Sequence, residues 1–196
     1  MGSRTKEAIF NLLRGWFKGA RVLDLYSGVG TMGLEAASLG ATEVVLVEKD
    51  KRVLECLRSN VAALGCDDHV KVAAIDALGP ELSMVAPGPF DIVFCDPPFA
   101  AMRRRASRVR IIERLDEIRF LMAPRSFLVL RVPDASEGED AISLPHFDGP
   151  EAHSYGNEQH VLLFAPKAGS TEASTRLHLA TDEGVEERID DLPPLA

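Results

Sequence analysis

The sequence predicts an α/β fold with a mostly parallel sheet. Three observations predict it. Short apolar runs of strand length alternate with segments whose apolar residues recur at helical spacing. A glycine-rich turn joins the first such run to the helix after it. Past Val132 no helix separates the remaining apolar runs, so the sheet ends in an antiparallel pair.

Residues 3–18 read as a helix, with Ile9, Leu12, Leu13 and Trp16 on one face, Phe17 beside them, and Gly19 as the stop. Residues 21–26 form a strand and 31–39 a helix ended by Gly40. Glu43–Val47 is the second strand. Asp50 caps a helix over 51–64 that Gly65 ends. Val70–Ile75 is the third strand, and 79–89, with three prolines, is a loop. Phe90–Cys95 is the fourth strand, 107–122 a basic helix, and Ser126–Val132 the fifth strand. The segments 151–156 and 159–165 are the closing pair. One domain is expected over 1–166. Residues 167–196, with seven acids against three bases and little periodicity, are expected to be a disordered tail.

Composition narrows the classes. With 196 residues, 46% hydrophobic and 27% charged, this is an ordinary globular balance. No apolar stretch is long enough for a membrane helix, and residues 1–6 are polar without a signal-like apolar segment, so a cytoplasmic location is expected. Three cysteines without a CxxC and five histidines without ligand spacing give no support for a metal site. Net charge is −8, yet residues 101–125 hold eight arginines against three acids. An acidic total with one local basic block is compatible with a nucleic-acid partner.

Four segments carry the chemistry. Asp24-Leu-Tyr26-Ser27-Gly28-Val-Gly30-Thr31-Met-Gly33 is a G-x-G-x-x-G turn opening a helix. In a dinucleotide site a pyrophosphate would sit there, and Asp24 would repel it. A ligand with an ammonium group and no phosphate suits Asp24 instead; S-adenosylmethionine is such a ligand. Glu48 lies 20 residues after Gly28, where a carboxylate can accept both ribose hydroxyls of an adenosine; NAD and S-adenosylmethionine share that ribose. Asp76, after the third strand, either meets an adenine amino group or is a turn residue. Asp96-Pro97-Pro98-Phe99 follows the fourth strand at its carboxyl end. The prolines stiffen the loop and lack N–H groups, leaving acceptors, and Phe99 offers a flat face. That is a receptor for an exocyclic amino group on a planar base. The candidate cofactor residues are Asp24, Tyr26, Ser27, Gly28, Gly30, Thr31, Glu48, Lys49, Asp76 and Ala77. The candidate catalytic set is Asp96, Pro97, Pro98 and Phe99. Arg103, Arg104, Arg105 and Arg108 are candidates for RNA phosphates.

These residues resemble the class I S-adenosylmethionine-dependent methyltransferases, whose Asp-Pro-Pro-Phe branch methylates amino groups. Over roughly residues 3–166 the chain resembles the RsmD-type small-subunit (16S) rRNA guanine-N2 methyltransferases. The helix Arg4-Thr-Lys-Glu-Ala-Ile-Phe-Asn11-Leu-Leu, the segment from Val22 to Ala36 and Ser154-Tyr155-Gly156-Asn157 carry the likeness. It implies a Rossmann-like class I fold, a seven-stranded sheet with an antiparallel last strand and helices on both faces. It implies methyl transfer to guanine N2 of 16S rRNA or a small-subunit particle. Family members usually carry a further basic segment ahead of the first helix, and the acidic tail is unlike theirs. Three other readings stay open: an NAD-dependent oxidoreductase, a DNA-adenine or protein-amide methyltransferase, and a non-catalytic RNA-binding protein on this fold.

Overall fold

In the computed structural model, which describes residues 3–133, 142–155 and 160–171, seven strands form one sheet in the order β3-β2-β1-β4-β5-β7-β6. They are β1 (Arg21–Leu25), β2 (Glu43–Val47), β3 (Val70–Ala73), β4 (Phe90–Cys95), β5 (Met122–Val132), β6 (Phe147–Ser154) and β7 (His160–Pro166). The first five are mutually parallel. The last strand, β7, runs antiparallel to both neighbours, β5 and β6. This is the expected Rossmann-like arrangement. The helices are α1 (Ser3–Leu12), α2 (Thr31–Ser38), α3 (Lys51–Leu64), α4 (Leu82–Val85), α5 (Phe99–Arg103) and α6 (Arg105–Glu117). None of them, among the described residues, is long and apolar enough to cross a membrane. Most of the expected tail, 172–196, lies outside the described residues, as do Gly156 and Asn157.

Side chains alternate across the strands, and both faces are covered. Val22, Val44, Leu46 and Ile92 pack under α1, α2 and α3, through Ile9, Met32, Ala36, Leu54 and Leu57. Leu23, Val45 and Val93 pack under α4, α5 and α6, through Leu82, Met102, Ile111 and Leu115. That double cover explains why residues 44–47 of β2 and 92–95 of β4 read as unbroken apolar runs. The Asp50 cap is formed: its Oδ1 accepts Arg52 N–H at 2.9 Å and Val53 N–H at 3.2 Å.

Several expected boundaries move. The first helix ends at Leu12, not at residue 18, because Gly15 and Gly19 take φ of 92° and 80°, which a right-handed helix cannot continue. Leu13 and Phe17 still reach the core from turns, and Trp16 stands edge-on to Phe127 at 4.7 Å. The proline-rich loop contains one short helix, α4. The basic helix runs over Arg105–Glu117 and ends in a 3-10 turn at Ile118–Leu121; a separate short helix, α5, precedes it, with Arg104 extended between the two. Strand β5 begins at Met122, since an irregularity in its pairing with β4 accommodates Pro124. Strand β6 begins at Phe147, with Gly149 and Pro150 in a similar irregularity on the sheet edge.

Gly33 shows how tightly α2 sits on the sheet. A Cβ there would lie 2.1 Å from Leu46 Cδ2 and 3.2 Å from Asp24 Oδ2. Gly33→Ala should therefore destabilise the protein by about 1–3 kcal/mol, despite alanine's better helix propensity. Gly28→Ala, at φ 57° with nothing within 4 Å, should cost only the left-handed backbone term, about 1–2 kcal/mol. Urea midpoints of the two variants check this; a Gly33→Ala variant as stable as wild type would contradict the packing described.

Candidate active site

The strand order reverses between β1 and β4, since β1 leads out to β2 and β3 while β4 leads out to β5. In open α/β sheets the crevice at such a point, beyond the carboxyl ends of the strands, is where ligands bind. Here a cavity of about 820 Å³ opens at that place. Tyr26 and Gly28 line it from the turn after β1, Glu48 and Lys49 from the end of β2, Asp76 and Ala77 from beyond β3, and Asp96, Pro97 and Pro98 from beyond β4. Four strand ends that are remote in sequence thus contribute to one concave surface.

The glycine turn is built by backbone geometry. Tyr26, Gly28 and Gly30 have φ of 60°, 57° and 90°. A left-handed tyrosine is uncommon and is held here by its surroundings. The turn is pinned from two sides: Ser27 N–H donates to Val47 O at 2.9 Å, and Asn60 Nδ2 of α3 donates to Val29 O at 2.9 Å. Glu48 closes the same knot. Its Oε2 accepts Gly28 N–H at 3.0 Å, and its Oε1 accepts the N–H groups of Lys49 and Asp50, each at 2.8 Å.

Asp24 lies beneath the turn, 1% exposed, and is not on the cavity wall. Its Oδ2 accepts Gly33 N–H at 2.9 Å, and its Oδ1 is buried without a hydrogen-bond partner. Burial pushes its carboxyl up to about 7; the charges of Asp96 and Glu48 add to the rise, and the Gly33 bond opposes it. Ser27 Oγ is a second buried polar atom with no partner. Asp76 bonds Lys49 Nζ at 2.8 Å and Leu78 N–H at 3.0 Å. Burial pushes its carboxyl up, but the Lys49 ammonium and the Leu78 N–H outweigh that and leave it below the ordinary range.

The loop after β4 starts where Asp96 N–H donates to Leu25 O at 3.3 Å, which ties it to β1. Pro97 is buried and Pro98 exposed. The Pro98 carbonyl accepts Ala101 and Met102 N–H, so it caps α5. Asp96 Oδ1 is bonded to Arg131 Nε at 2.5 Å. Phe99 sits outside the cavity lining, half-buried, with the Arg131 guanidinium 4.4 Å from its ring centre and that of Arg103 at 5.9 Å.

The structure separates other expected residues from the cavity. Ser27 and Gly30 are buried in the turn, and Thr31 is exposed at the start of α2. Arg103, Arg104 and Arg105 are exposed on α5, the link and α6, and Arg108 is half-buried; none lines the cavity. Arg110 does line it, with Ser107 and Arg131. Arg114 and Arg119 serve the fold: Arg114 bonds Gly79 O and Glu117, and Arg119 bonds Asp116. Arg131 was invisible to motif reasoning, because it is one polar residue near the end of an apolar strand. Among the described residues no group of three or more His, Cys, Asp or Glu is placed to hold a metal ion.

Known proteins share this architecture. YlbH of Bacillus subtilis, described provisionally as an rRNA methyltransferase, is 32% identical over 126 residues, covering 61% of this chain and 67% of YlbH. Ribosomal RNA small subunit methyltransferase D of Haemophilus influenzae is 34% identical over 102 residues, which is 50% of this chain and 51% of that protein. The solved structure of yhhF from Escherichia coli, described provisionally as a methyltransferase, superposes with a TM-score of 0.68 at 26% identity, covering 85% of this chain and 86% of that one. The family described as Conserved hypothetical protein 95 matches residues 1–162. The chain belongs to that family, the RsmD-type methyltransferases.

Proposed function

We propose that this chain transfers a methyl group from S-adenosylmethionine to an exocyclic amino group of an RNA base, namely guanine N2 in small-subunit (16S) rRNA. The observation that carries this is the placement of Asp96-Pro97-Pro98 on the same cavity as Gly28, Glu48 and Asp76. The names of the curated relatives supply the RNA class. An oxidoreductase would leave the Asp96 loop without a task.

The donor set fits the cofactor. Asp24 Oδ1 and Ser27 Oγ are buried atoms in want of a polar partner, which an ammonium group satisfies. Glu48 would hold the ribose, exchanging some of its backbone bonds for hydroxyl bonds. Asp76 and Ala77 would meet the adenine, and the space at Gly28 lets the backbone approach closely. When bound, S-adenosylmethionine supplies an electrophilic methyl group on a sulfonium. Asp96 would do the rest of the local work: a carboxylate oxygen accepts an N–H of the target amino group, orients its lone pair, and takes the proton released as the N–C bond forms and the methyl–sulfur bond breaks, with S-adenosylhomocysteine as the leaving group. Arg103, Arg104 and Arg105, all exposed, would bind phosphates around a base that leaves its stack.

Labelled methyl transfer to an unmodified small-subunit rRNA transcript, followed by nucleoside analysis, tests the proposal. N2-methylguanosine should form, and Asp96→Ala should slow transfer by about 10²–10⁴-fold with S-adenosylhomocysteine affinity nearly unchanged. Label on another base, or full activity in the variant, would contradict it.

The Asp24 carboxyl gives a pH signature. Its value rises from the ordinary 3.8 to about 7 in the folded protein. The stability it confers is therefore fully present below the ordinary value and is lost as pH rises through about 7. A ligand ammonium favours the ionised form, so S-adenosylhomocysteine affinity should rise with pH up to about 7 and level off above it. Asp24→Asn should flatten both curves and weaken binding; thermal melts and titrations across that range check it. Unchanged slopes in the variant would rule out Asp24 as their source.

A further inference from the structure

Arg131 belongs to no sequence motif, yet it touches both ends of the loop assigned to the target base. It stands on β5 next to Leu130, which is in register with Cys95 of β4. Its side chain is 13% exposed. Nε lies 2.5 Å from Asp96 Oδ1, and the guanidinium carbon lies 4.4 Å from the Phe99 ring centre. It also faces two spaces. One is the large cavity; the other is a small void behind Asp96, lined by Ile9, Met32 and Val129.

On the function proposed above, we infer that Arg131 is the positioning residue of the acceptor loop. It fixes the Asp96 carboxylate through Oδ1, holds the Phe99 ring by its flat face, and leaves Oδ2 for the amino group. Oδ2 has no protein hydrogen-bond partner among the described residues. A carboxylate left alone turns easily, because its terminal torsion is broad and two-fold. A charge-assisted Nε bond stops that rotation, and the planar guanidinium fixes a ring in the same act. Lysine brings the charge without the plane. The methyl-acceptor nitrogen then meets one defined oxygen over one defined ring. Arg131 takes no proton and forms no bond to substrate; its effect passes through Asp96 and Phe99.

The test compares the full-length wild type with R131A, R131K and D96A. Three readouts are needed: steady-state transfer to the unmodified small-subunit rRNA transcript, titration with S-adenosylhomocysteine, and the NMR signal of the Arg131 Nε–H. R131A should lower kcat about 100-fold, the loss typical of a reacting group displaced by about 1 Å, with KM for RNA and S-adenosylhomocysteine affinity unchanged. R131K should recover part of the loss. Added guanidinium ion at millimolar concentration should recover part of it in R131A and none in D96A. The Nε–H should exchange slowly with water in wild type and quickly in D96A. Wild-type kcat in R131A, a loss confined to KM, or an equal loss of S-adenosylhomocysteine affinity would overturn the inference. If the wild type itself transfers no methyl group, the proposed function falls and this inference with it. If the wild type is active and R131A equally so, only the role of Arg131 falls.

Discussion

Everything at the site depends on the pairing of β1 with β4. These two parallel strands lie side by side, in register from Val22 with Ile92 to Leu25 with Cys95. Their connections leave in opposite directions, one through α2 to β2 and the other through α5 and α6 to β5. The chain must therefore open a crevice where they part. The glycine turn and the Asp96 loop are the two lips of that crevice, and the Asp96 N–H bond to Leu25 O fastens them.

The crevice is electrically mixed rather than one-signed. Glu48, Asp50, Asp76 and Asp96 face Lys49, Lys51, Arg110 and Arg131 on its lining. Much of that charge is already engaged: Lys49 with Asp76, Arg131 with Asp96, and Glu48 with three backbone N–H groups. Asp24 is the exception, a buried carboxyl whose second oxygen has no partner. An unmet buried acceptor costs roughly 1–3 kcal/mol. A fold that keeps one beneath a ligand-sized cavity holds binding energy in reserve for a donor.

The parallel core was legible because it is simple. β2, α3 and β4 fall where periodicity and caps put them, since apolar runs bounded by Asp50 and Gly65 leave few alternatives. The glycine turn, Glu48, Asp76 and the Asp96 loop were legible from spacing, because a strand end must precede each. Boundaries failed where backbone geometry overrode the apolar pattern, at Gly15, Arg104, Pro124 and Pro150. The arginine block divides by place in the fold. Its residues share a composition but not a role, and only folding decides that Arg114 serves α6 while Arg110 faces the cavity. Arg131 could not be found at all, because its partner is 35 positions away on the neighbouring strand's loop.

The central claim is that the β1–β4 crevice holds S-adenosylmethionine with its adenosine on Glu48 and its ammonium toward Asp24. A crystal structure of the protein with S-adenosylhomocysteine measures this most directly. Ribose hydroxyls within hydrogen-bond distance of Glu48, and the ligand's amino group against Asp24 or Ser27, are the predicted result. Ligand density elsewhere, such as the groove between α1 and α2 beside Lys6, Phe10 and Glu35, would contradict it.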